Sequence, residues 1–439
     1  MTLTHPATEN KLAPVPAQSI RVSDKWVAHA LTFLMVFGPG LIVMEADNDA
    51  GAVSTYVQAG AQYGTHLLWL LLLLLPICYL VQEIVRLPIA TGQGHAAMIY
   101  QRFGTWWGRF SLPDLLLLNF LTLVTEFASI ALVLTKLGVD PRVGVRVAAL
   151  ALTGLVLISS YRRWERIVVL LCLLDLTWFA IAFRVHVSSH ELLQHTIIPS
   201  LPANGLAAGW LFLVIAIVGT TIAPWQLFFQ QSCIADKRLR FSDLRWARLD
   251  TFVGAVFTIL VAGCMMLAGN AAFQHRWSFS DPTQMAVQLG GGFWPFLKDA
   301  ILLMMINAAV LGTTTISLSS AWAYGEVKGW PHSLEKPFRE APGFYAVYVL
   351  CVMAAAALVL IPGSPLQLII LSVQVLAGLM LPSAIIFLQL LLNDKEVLGE
   401  RFAYKRWNNI VNWITVILLF VLSLLLAAQV AVPRLFPNS

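Results

Sequence analysis

The sequence predicts an all-helical integral membrane protein with about eleven transmembrane helices, of which the first and sixth are broken. Two observations predict this class. Of the 439 residues, 58% are hydrophobic and only 12% are charged, whereas a typical soluble domain is about 25% charged. The mean hydropathy of +0.76 also extends over long apolar runs such as Leu68–Leu75, and these exceed what one globular core can bury. We therefore expect a lipid bilayer to cover most of the surface.

Long apolar segments separated by polar residues, glycine or proline define eleven predicted spans. They lie at 27–46 continuing to 62, 65–90, 112–136, 144–160, 166–185, 208–232, 247–271, 294–323, 343–361, 366–392 and 409–430. Since one span needs roughly 20 apolar residues, no large extramembrane domain fits. Residues 1–24, which are rich in Pro, Ala, Ser and Thr, are predicted to form a disordered cytoplasmic tail.

The distribution of basic residues predicts the orientation of the chain. With a cytoplasmic N-terminus, 21 of the 28 Lys and Arg residues fall on the cytoplasmic side of the spans. This asymmetry follows the positive-inside rule, and it accounts for the net charge of +5 without nucleic acid as a partner. The C-terminus is then extracytoplasmic. We expect a multi-pass protein of a bacterial inner membrane.

Two spans carry charged or helix-breaking residues at mid-membrane depth. The first reads Glu45-Ala46-Asp47-Asn48-Asp49-Ala50-Gly51, and the sixth reads Gly219-Thr220-Thr221-Ile222-Ala223-Pro224. Proline removes a backbone donor, and non-helical backbone persists at this depth only inside protein or along a wet cavity. Two such breaks five spans apart predict an inverted five-plus-five repeat with a binding site near the midplane.

These breaks set the predicted boundaries along the chain. The first five-helix repeat covers residues 25–185 and the second covers residues 208–392. An extracytoplasmic loop, 186–207, joins the two repeats. Residues 393–439 contain the eleventh helix and the C-terminus.

The acids and freed carbonyls of the two breaks predict a cation site. Asp49 is the first choice of ligand because it directly precedes the flexible Ala50-Gly51 pair, and a carboxylate offsets the cost of dehydrating an ion. Backbone carbonyls near the breaks add neutral ligands, and the amide of Gln374 can close the shell. The predicted metal-site residues are Ala46, Asp47, Asn48, Asp49, Thr220, Ala223 and Gln374.

Other buried polar residues have weaker predicted roles. Glu45 and Glu126 are assigned to an ion or proton pathway, because intramembrane acids are functional by default. Asp175 and Asn307 are predicted to form structural hydrogen bonds between helices. The five cysteines occur singly within apolar segments, and we expect them to be inert packing residues.

Several signals of other functions are missing from the sequence. It contains no G-x-x-x-x-G-K-[ST] phosphate loop, no nucleophile elbow and no H-E-x-x-H helix. We therefore expect a gradient-driven transporter and not an enzyme. The expected partners are a divalent cation as substrate and the lipid bilayer, with no prosthetic group and no obligatory protein partner.

Many motifs of the chain also follow the pattern of one family. They are Gly38-Pro39-Gly40, Asp49 with Gly51, Gln58–Gly64, Gln82 with Arg86, Glu126, Arg248 with Asp250-Thr251, and Gln374 with Leu381-Pro382. In these motifs the chain resembles the NRAMP divalent-metal transporters. The resemblance implies eleven or twelve spans in the LeuT-type inverted-repeat arrangement and alternating-access import of a divalent metal ion.

The chain departs from the family pattern at the metal site itself. Ala52 replaces the family's asparagine, and Ala223 replaces a methionine whose thioether favours softer metals. This resembles the NRAMP-related magnesium transporter branch, with manganese as a competing ion. Leu123 replaces an aspartate, and Trp225 and Gln230 replace histidines that handle protons. The resemblance therefore implies weak or absent proton coupling.

The main interpretation is thus import of magnesium, manganese or both. The first alternative is a proton-coupled manganese or iron transporter, in which Glu45, Asp47 or Glu126 carries the proton. A sodium-coupled symporter for an organic solute would use the same fold, but three acids at the first break disfavour an anionic substrate. A non-transporting membrane scaffold, in which the acids only hold helices together, is the last alternative.

Overall fold

A computed structural model describes residues 37–157, 160–185, 187–200, 208–292, 294–398 and 406–431. Within these ranges the regular structure is helical, with one 3-10 turn at Phe241–Asp243. The helices are α1 Pro39–Glu45, α2 Ala50–Tyr63, α3 Leu68–Gln82, α4 Arg86–Thr91, α5 His95–Lys136, α6 Pro141–Leu157, α7 Tyr161–Leu174, α8 Thr177–Arg184, α9 Ser189–Ile197, α10 Ala208–Thr221, α11 Pro224–Lys237, α12 Leu244–Gln274, α13 Pro282–Gly292, α14 Pro295–Lys328, α15 Pro342–Val359, α16 Leu366–Asn393, α17 Lys395–Leu398 and α18 Arg406–Ala431. The predicted tail 1–24 and the start of the first span lie outside the described residues.

Eight helical segments in the described ranges are long and apolar enough to cross a membrane. They coincide with the predicted second, third and fifth to tenth spans. The predicted fourth span is α6, with 17 residues, and the eleventh contains the shorter apolar stretch Asn409–Leu422 within α18. The predicted all-helical membrane fold is confirmed. The division into repeats at 185 and 208 stays a prediction.

Both predicted breaks are present in the structure. The first span is split between α1 and α2 by residues 46–49, and the sixth is split between α10 and α11 by Ile222-Ala223. The fifth span is also interrupted, between α7 and α8, at Asp175-Leu176. The second span is likewise interrupted, between α3 and α4 at residues 83–85. The sequence did not reveal these two interruptions, because neither proline nor glycine lies in them.

The short helix α1 is held by a carboxylate that lies more than 200 residues away in the sequence. Asp250 on α12 accepts hydrogen bonds from the N–H groups of Gly38 at 3.3 Å, Gly40 at 2.7 Å and Leu41 at 3.2 Å. The first amides of a helix have no partner within the helix. Asp250 therefore satisfies them inside the protein and fixes α1 against α12.

The predicted outer loop 186–207 contains the short helix α9. The ring of His195 on α9 lies 4.2 Å from the ring of His66, which precedes α3. Thr65 Oγ1 lies 2.6 Å from His195 Nδ1 and donates to Glu191 Oε1 at 2.9 Å. Partial burial lowers the pKa of His66, and the neighbouring His195 lowers it further. These contacts attach α9 to the body of the protein.

Glycines allow the backbones of α2 and α12 to touch where the two helices cross. A Cβ atom at Gly60 would lie 1.9 Å from the carbonyl oxygen of Met266, and one at Gly269 would lie 2.1 Å from that of Val57. Small residues at such crossings permit close packing between membrane helices. The crossing holds α2, and with it the first break, in place.

We predict that Gly60→Ala destabilises the protein by about 1–3 kcal/mol, the usual cost of overpacking, because the added methyl group meets backbone and not a movable side chain. Thermal unfolding of the purified protein in detergent measures this. The matched control is Gly154→Ala on α6, where no heavy atom lies within 4 Å of the added Cβ. Equal unfolding temperatures for Gly60→Ala and the wild type would contradict the crossing geometry.

Candidate metal site

Asp49 lies at the end of the first break, where α2 begins. Its Oδ1 accepts a hydrogen bond from the N–H of Ala52 at 2.8 Å and so caps α2. Its side chain is buried. The carboxylate is thus fixed by the start of α2, and this positions the first predicted ligand at the break.

Glu126 on α5 prevents a helical hydrogen bond from forming across the first break. Its Oε2 accepts a hydrogen bond from the N–H of Ala50 at 3.1 Å. In a continuous helix this N–H would donate to the carbonyl of Ala46, four residues earlier. No backbone N–H of the described residues donates to that carbonyl. Glu126 thereby leaves the Ala46 oxygen available to an ion.

Pro224 has the same effect on the sixth helix. A continuous helix would satisfy the Thr220 carbonyl with the N–H of residue 224, which proline lacks. The backbone at Ala223 is extended, with φ −80° and ψ 140°. The Thr220 hydroxyl is also buried without a hydrogen-bond partner among the described residues. The break thus provides two unpaired oxygens of one residue.

Gln374 on α16 lies directly against the start of α2. A Cβ atom at Gly51 would lie 1.7 Å from Gln374 Nε2, so only glycine leaves room for this side chain. Gln374 Nε2 is buried and has no hydrogen-bond partner in the described structure. The structure therefore brings Gln374 close to Asp49 and Gly51, with its amide nitrogen at Gly51. The closing ligand was predicted to be the amide oxygen, and that role stays a prediction.

Asp47 and Asn48 are the remaining candidate ligands at the first break, and they have different neighbours. Neither carboxylate oxygen of Asp47 has a hydrogen-bond donor within the described residues, although the carboxylate lies near Gln226 and Asp49. Asn48 Nδ2 instead donates to Glu45 Oε1 at 3.2 Å and to the Thr258 carbonyl at 3.3 Å. Asp47 therefore belongs with the Asp49 ligands, whereas Asn48 belongs with Glu45.

Two sulfur atoms lie beside this region, although the sequence indicated none. Cys78 Sγ on α3 lies 3.7 Å from Met44 Sδ on α1 and 3.6 Å from the carbonyl oxygen of Thr221. Cys78 was expected to be an inert packing residue. No sequence signal shows that its side chain faces the sixth-span break.

The three positions that the resemblance implies for proton handling, Leu123, Trp225 and Gln230, lie in structural contacts. Gln230 Nε2 donates to Thr251 Oγ1 at 2.8 Å, and the carbonyl of Trp225 accepts from Ser319 Oγ at 3.1 Å. Leu123 is buried in the apolar core. None of these three side chains can carry a proton at physiological pH.

The site concentrates buried acidic side chains. Five buried acids lie near one another around the first break, namely Glu45, Asp47, Asp49, Glu126 and Asp175. None of them forms a salt bridge within the described part of the chain. Burying unpaired charge is expensive, so cations or protons must offset it.

Comparison with known proteins identifies matches over most of the chain. The profile of the natural resistance-associated macrophage protein-like family, Nramp, matches residues 40–429. The divalent metal cation transporter MntH of Staphylococcus aureus strain JH9 is 26% identical in a 435-position alignment that covers 90% of this chain and 91% of that protein.

Solved structures with the same arrangement of helices include a manganese transporter and MhsT. The Eremococcus coleocola manganese transporter, in complex with an aromatic bis-isothiourea compound, matches with a TM-score of 0.73 and 20% identity, over 93% of this chain and 89% of that one. MhsT in complex with L-phenylalanine matches with a TM-score of 0.60 and 13% identity, over 91% and 98%. The predicted LeuT-type fold is confirmed.

We predict that Gly51→Ala weakens metal binding more than it weakens folding. The atom that must move is the end of the flexible Gln374 side chain. The free energy of unfolding should therefore fall by only about 1 kcal/mol, the low end of overpacking effects. Metal affinity should fall about tenfold, or 1.4 kcal/mol. Calorimetric titration with Mn²⁺ and thermal unfolding measure the two effects.

The double variant Gly51→Ala/Gln374→Ala provides the control. If both substitutions act through the same contact, their effects on Mn²⁺ affinity are not additive, and the double variant should bind like Gln374→Ala alone. Additive losses would show that Gln374 acts independently of Gly51.

Proposed function

The chain belongs to the Nramp family of divalent metal transporters, and from this premise we propose that it imports a divalent cation by alternating access at the Asp49 break. One observation carries the proposal. Asp49 and the carbonyl oxygens of Ala46 and Thr220 lie at two helix breaks, and Glu126 and Pro224 remove the helical hydrogen bonds that would occupy these carbonyls. Asp47 and Gln374 complete the proposed ligand set.

We propose manganese as the first choice of cargo. The relatives in Staphylococcus aureus are divalent metal cation transporters by name, and the structural match from Eremococcus coleocola is a manganese transporter. The sulfur pair of Cys78 and Met44 gives this choice a physical basis, because thiolates and thioethers favour transition metals over magnesium. In this proposal, Cys78 and Met44 supply the sulfur that the family's sixth-span methionine would supply, because this chain has Ala223 at that position.

Magnesium is the second candidate, and the oxygen donors of the site support it. Magnesium prefers oxygen ligands and retains several waters. The small side chains of Ala52 and Ala223 leave oxygens and space where the family pattern has larger ligands. The magnesium hypothesis therefore depends on the sulfur pair remaining outside the coordination sphere.

The mode of coupling is a separate proposal. The expected proton positions hold Leu123, Trp225 and Gln230, so we propose weak or absent proton coupling. An inside-negative potential provides about 2.3 kcal/mol per charge per 100 mV, which is enough to accumulate a divalent cation. In a proton-coupled mechanism, Glu45, Asp47 or Glu126 would carry the proton.

We predict that Asp49→Ala reduces Mn²⁺ uptake into proteoliposomes at least about tenfold, because even residues that only support a ligand cost about 10–100-fold. The matched control is Asp114→Ala. Asp114 is a half-buried carboxyl on α5 that accepts a hydrogen bond from Ser383 Oγ at 3.0 Å, apart from the proposed ligands. Its variant should transport like the wild type.

A pH-sensitive dye inside the same vesicles tests coupling, and Mg²⁺ in place of Mn²⁺ tests the cargo. Mn²⁺ uptake without acidification supports the uncoupled proposal, whereas acidification supports the proton-coupled alternative. Wild-type uptake by correctly inserted Asp49→Ala would refute the proposed site.

We predict that the double variant Cys78→Ser/Met44→Leu lowers affinity for Cd²⁺, a soft probe, by more than about tenfold, or 1.4 kcal/mol, and leaves Mg²⁺ binding unchanged. Both substitutions nearly preserve side-chain volume and remove only the sulfur. The control is Cys264→Ala, because Cys264 lies on α12 away from both breaks. Equal Cd²⁺ affinity in the double variant and the wild type would remove the sulfur argument for manganese.

A further inference from the structure

A second group of buried oxygens lies one helical turn from Asp49, on the α1 side of the first break. We call it the Glu45–Asp175 cluster, and it comprises Glu45, Asn48, Asp175, Thr258 and Asn307. Glu45 is at the end of α1, and Asp175 is at the unexpected break between α7 and α8. Thr258 is on α12 and Asn307 is on α14. Four parts of the fold therefore converge on two carboxyl groups.

The two carboxyl groups of the cluster face each other without a basic partner. The Glu45 carboxyl and the Asp175 carboxyl are close enough to interact directly. Both side chains are fully buried. No Lys, Arg or His in the described ranges forms a salt bridge with either one. Their charge must therefore be offset by something other than a basic side chain.

The break at Asp175 positions Asn307. The N–H of Asp175 donates to the Cys172 carbonyl at 3.2 Å and not to that of Leu171. Asn307 Nδ2 then donates to the Leu171 carbonyl at 3.1 Å and to Asp175 Oδ1 at 3.0 Å. Each of the two residues was predicted to form a structural hydrogen bond between helices, and here they bond each other, which holds the Asn307 amide against the carboxylate.

Three oxygens of the cluster remain without a donor. Asp175 Oδ2, Asn307 Oδ1 and Asn48 Oδ1 are buried and have no hydrogen-bond partner among the described residues. Buried polar atoms in folded proteins are nearly always satisfied. A proton shared between the carboxyl groups would neutralise charge, but it would leave both amide oxygens unpaired. A cation with several oxygen ligands would satisfy all three.

We propose that the Glu45–Asp175 cluster is a second divalent-cation site, which the cargo occupies on its way between Asp49 and the α1 side of the membrane. Two carboxylates balance a divalent charge, and the donors are all oxygen, which suits Mn²⁺ and Mg²⁺. Asp47 lies between Asp49 and Glu45 in the chain and interacts with both, so it links the two positions. This inference rests on the proposed function, because the cargo is the ligand.

The test counts Mn²⁺ ions bound to the full-length protein in detergent, by equilibrium dialysis at saturating Mn²⁺. We expect two ions per chain in the wild type, one in Asp49→Asn, one in Asp175→Asn and none in the double variant. Glu45→Gln, which keeps an acceptor for Asn48 and Thr258, serves as a second variant in case Asp175→Asn misfolds, and it should also bind one ion. Asp114→Asn is the matched control and should bind two.

Electron paramagnetic resonance gives an independent readout of the same samples. Two Mn²⁺ ions one helical turn apart broaden each other's signal, and this broadening should disappear in Asp175→Asn and Glu45→Gln. One ion per chain in the wild type, lost in Asp49→Asn and retained in both cluster variants, would overturn this inference and leave the proposed function intact. Absence of any bound Mn²⁺ in the wild type would overturn both.

Discussion

A helix broken inside a membrane needs a partner for every backbone group that it frees, because the surrounding lipid offers none. This constraint organises the centre of the protein. Asp250 takes the first amides of α1, and Glu126 takes the N–H of Ala50. The carbonyls of Ala46 and Thr220 are left over. At the first break an acid accepts the N–H that a continuous helix would use, and at the sixth break Pro224 has no N–H to donate. In both places one carbonyl oxygen is left without its helical hydrogen bond.

The same constraint explains which parts of the site the sequence could predict. The run of residues 45–51 and Pro224 show directly that helices break there, so Asp49, Ala46 and Thr220 followed from local chemistry. Glu126 stood out as an intramembrane acid, but its bond to Ala50 joins residues 76 positions apart. No local pattern encodes such a contact. Asp250 as the partner of α1 was hidden for the same reason.

The sequence alone underestimates the roles of some residues. Cys78 looked like apolar packing because one cysteine in a leucine-rich helix gives no orientation. Only the packing of α3 against both breaks places its sulfur near Met44 and the Thr221 carbonyl. Asp175 and Asn307 were each expected to form a hydrogen bond between helices, but their bond to each other was not predicted, and the break at Asp175 carries no proline or glycine. Their closeness to Glu45 depends on how α7, α8 and α14 pack around α1, which is a tertiary property.

The number of buried acids bears on how the ion and protons share the site. Five carboxyl groups surround the first break. With all five ionised, a single divalent cation at Asp49 would leave three negative charges uncompensated in a low-dielectric interior, where each costs several kcal/mol. A second cation between Glu45 and Asp175 reduces this excess to one charge, which one proton on Glu126 or Asp47 can remove. Occupancy of the second position would therefore decide how many protons the site must hold, and so would connect the stoichiometry of metal binding to the presence or absence of proton coupling.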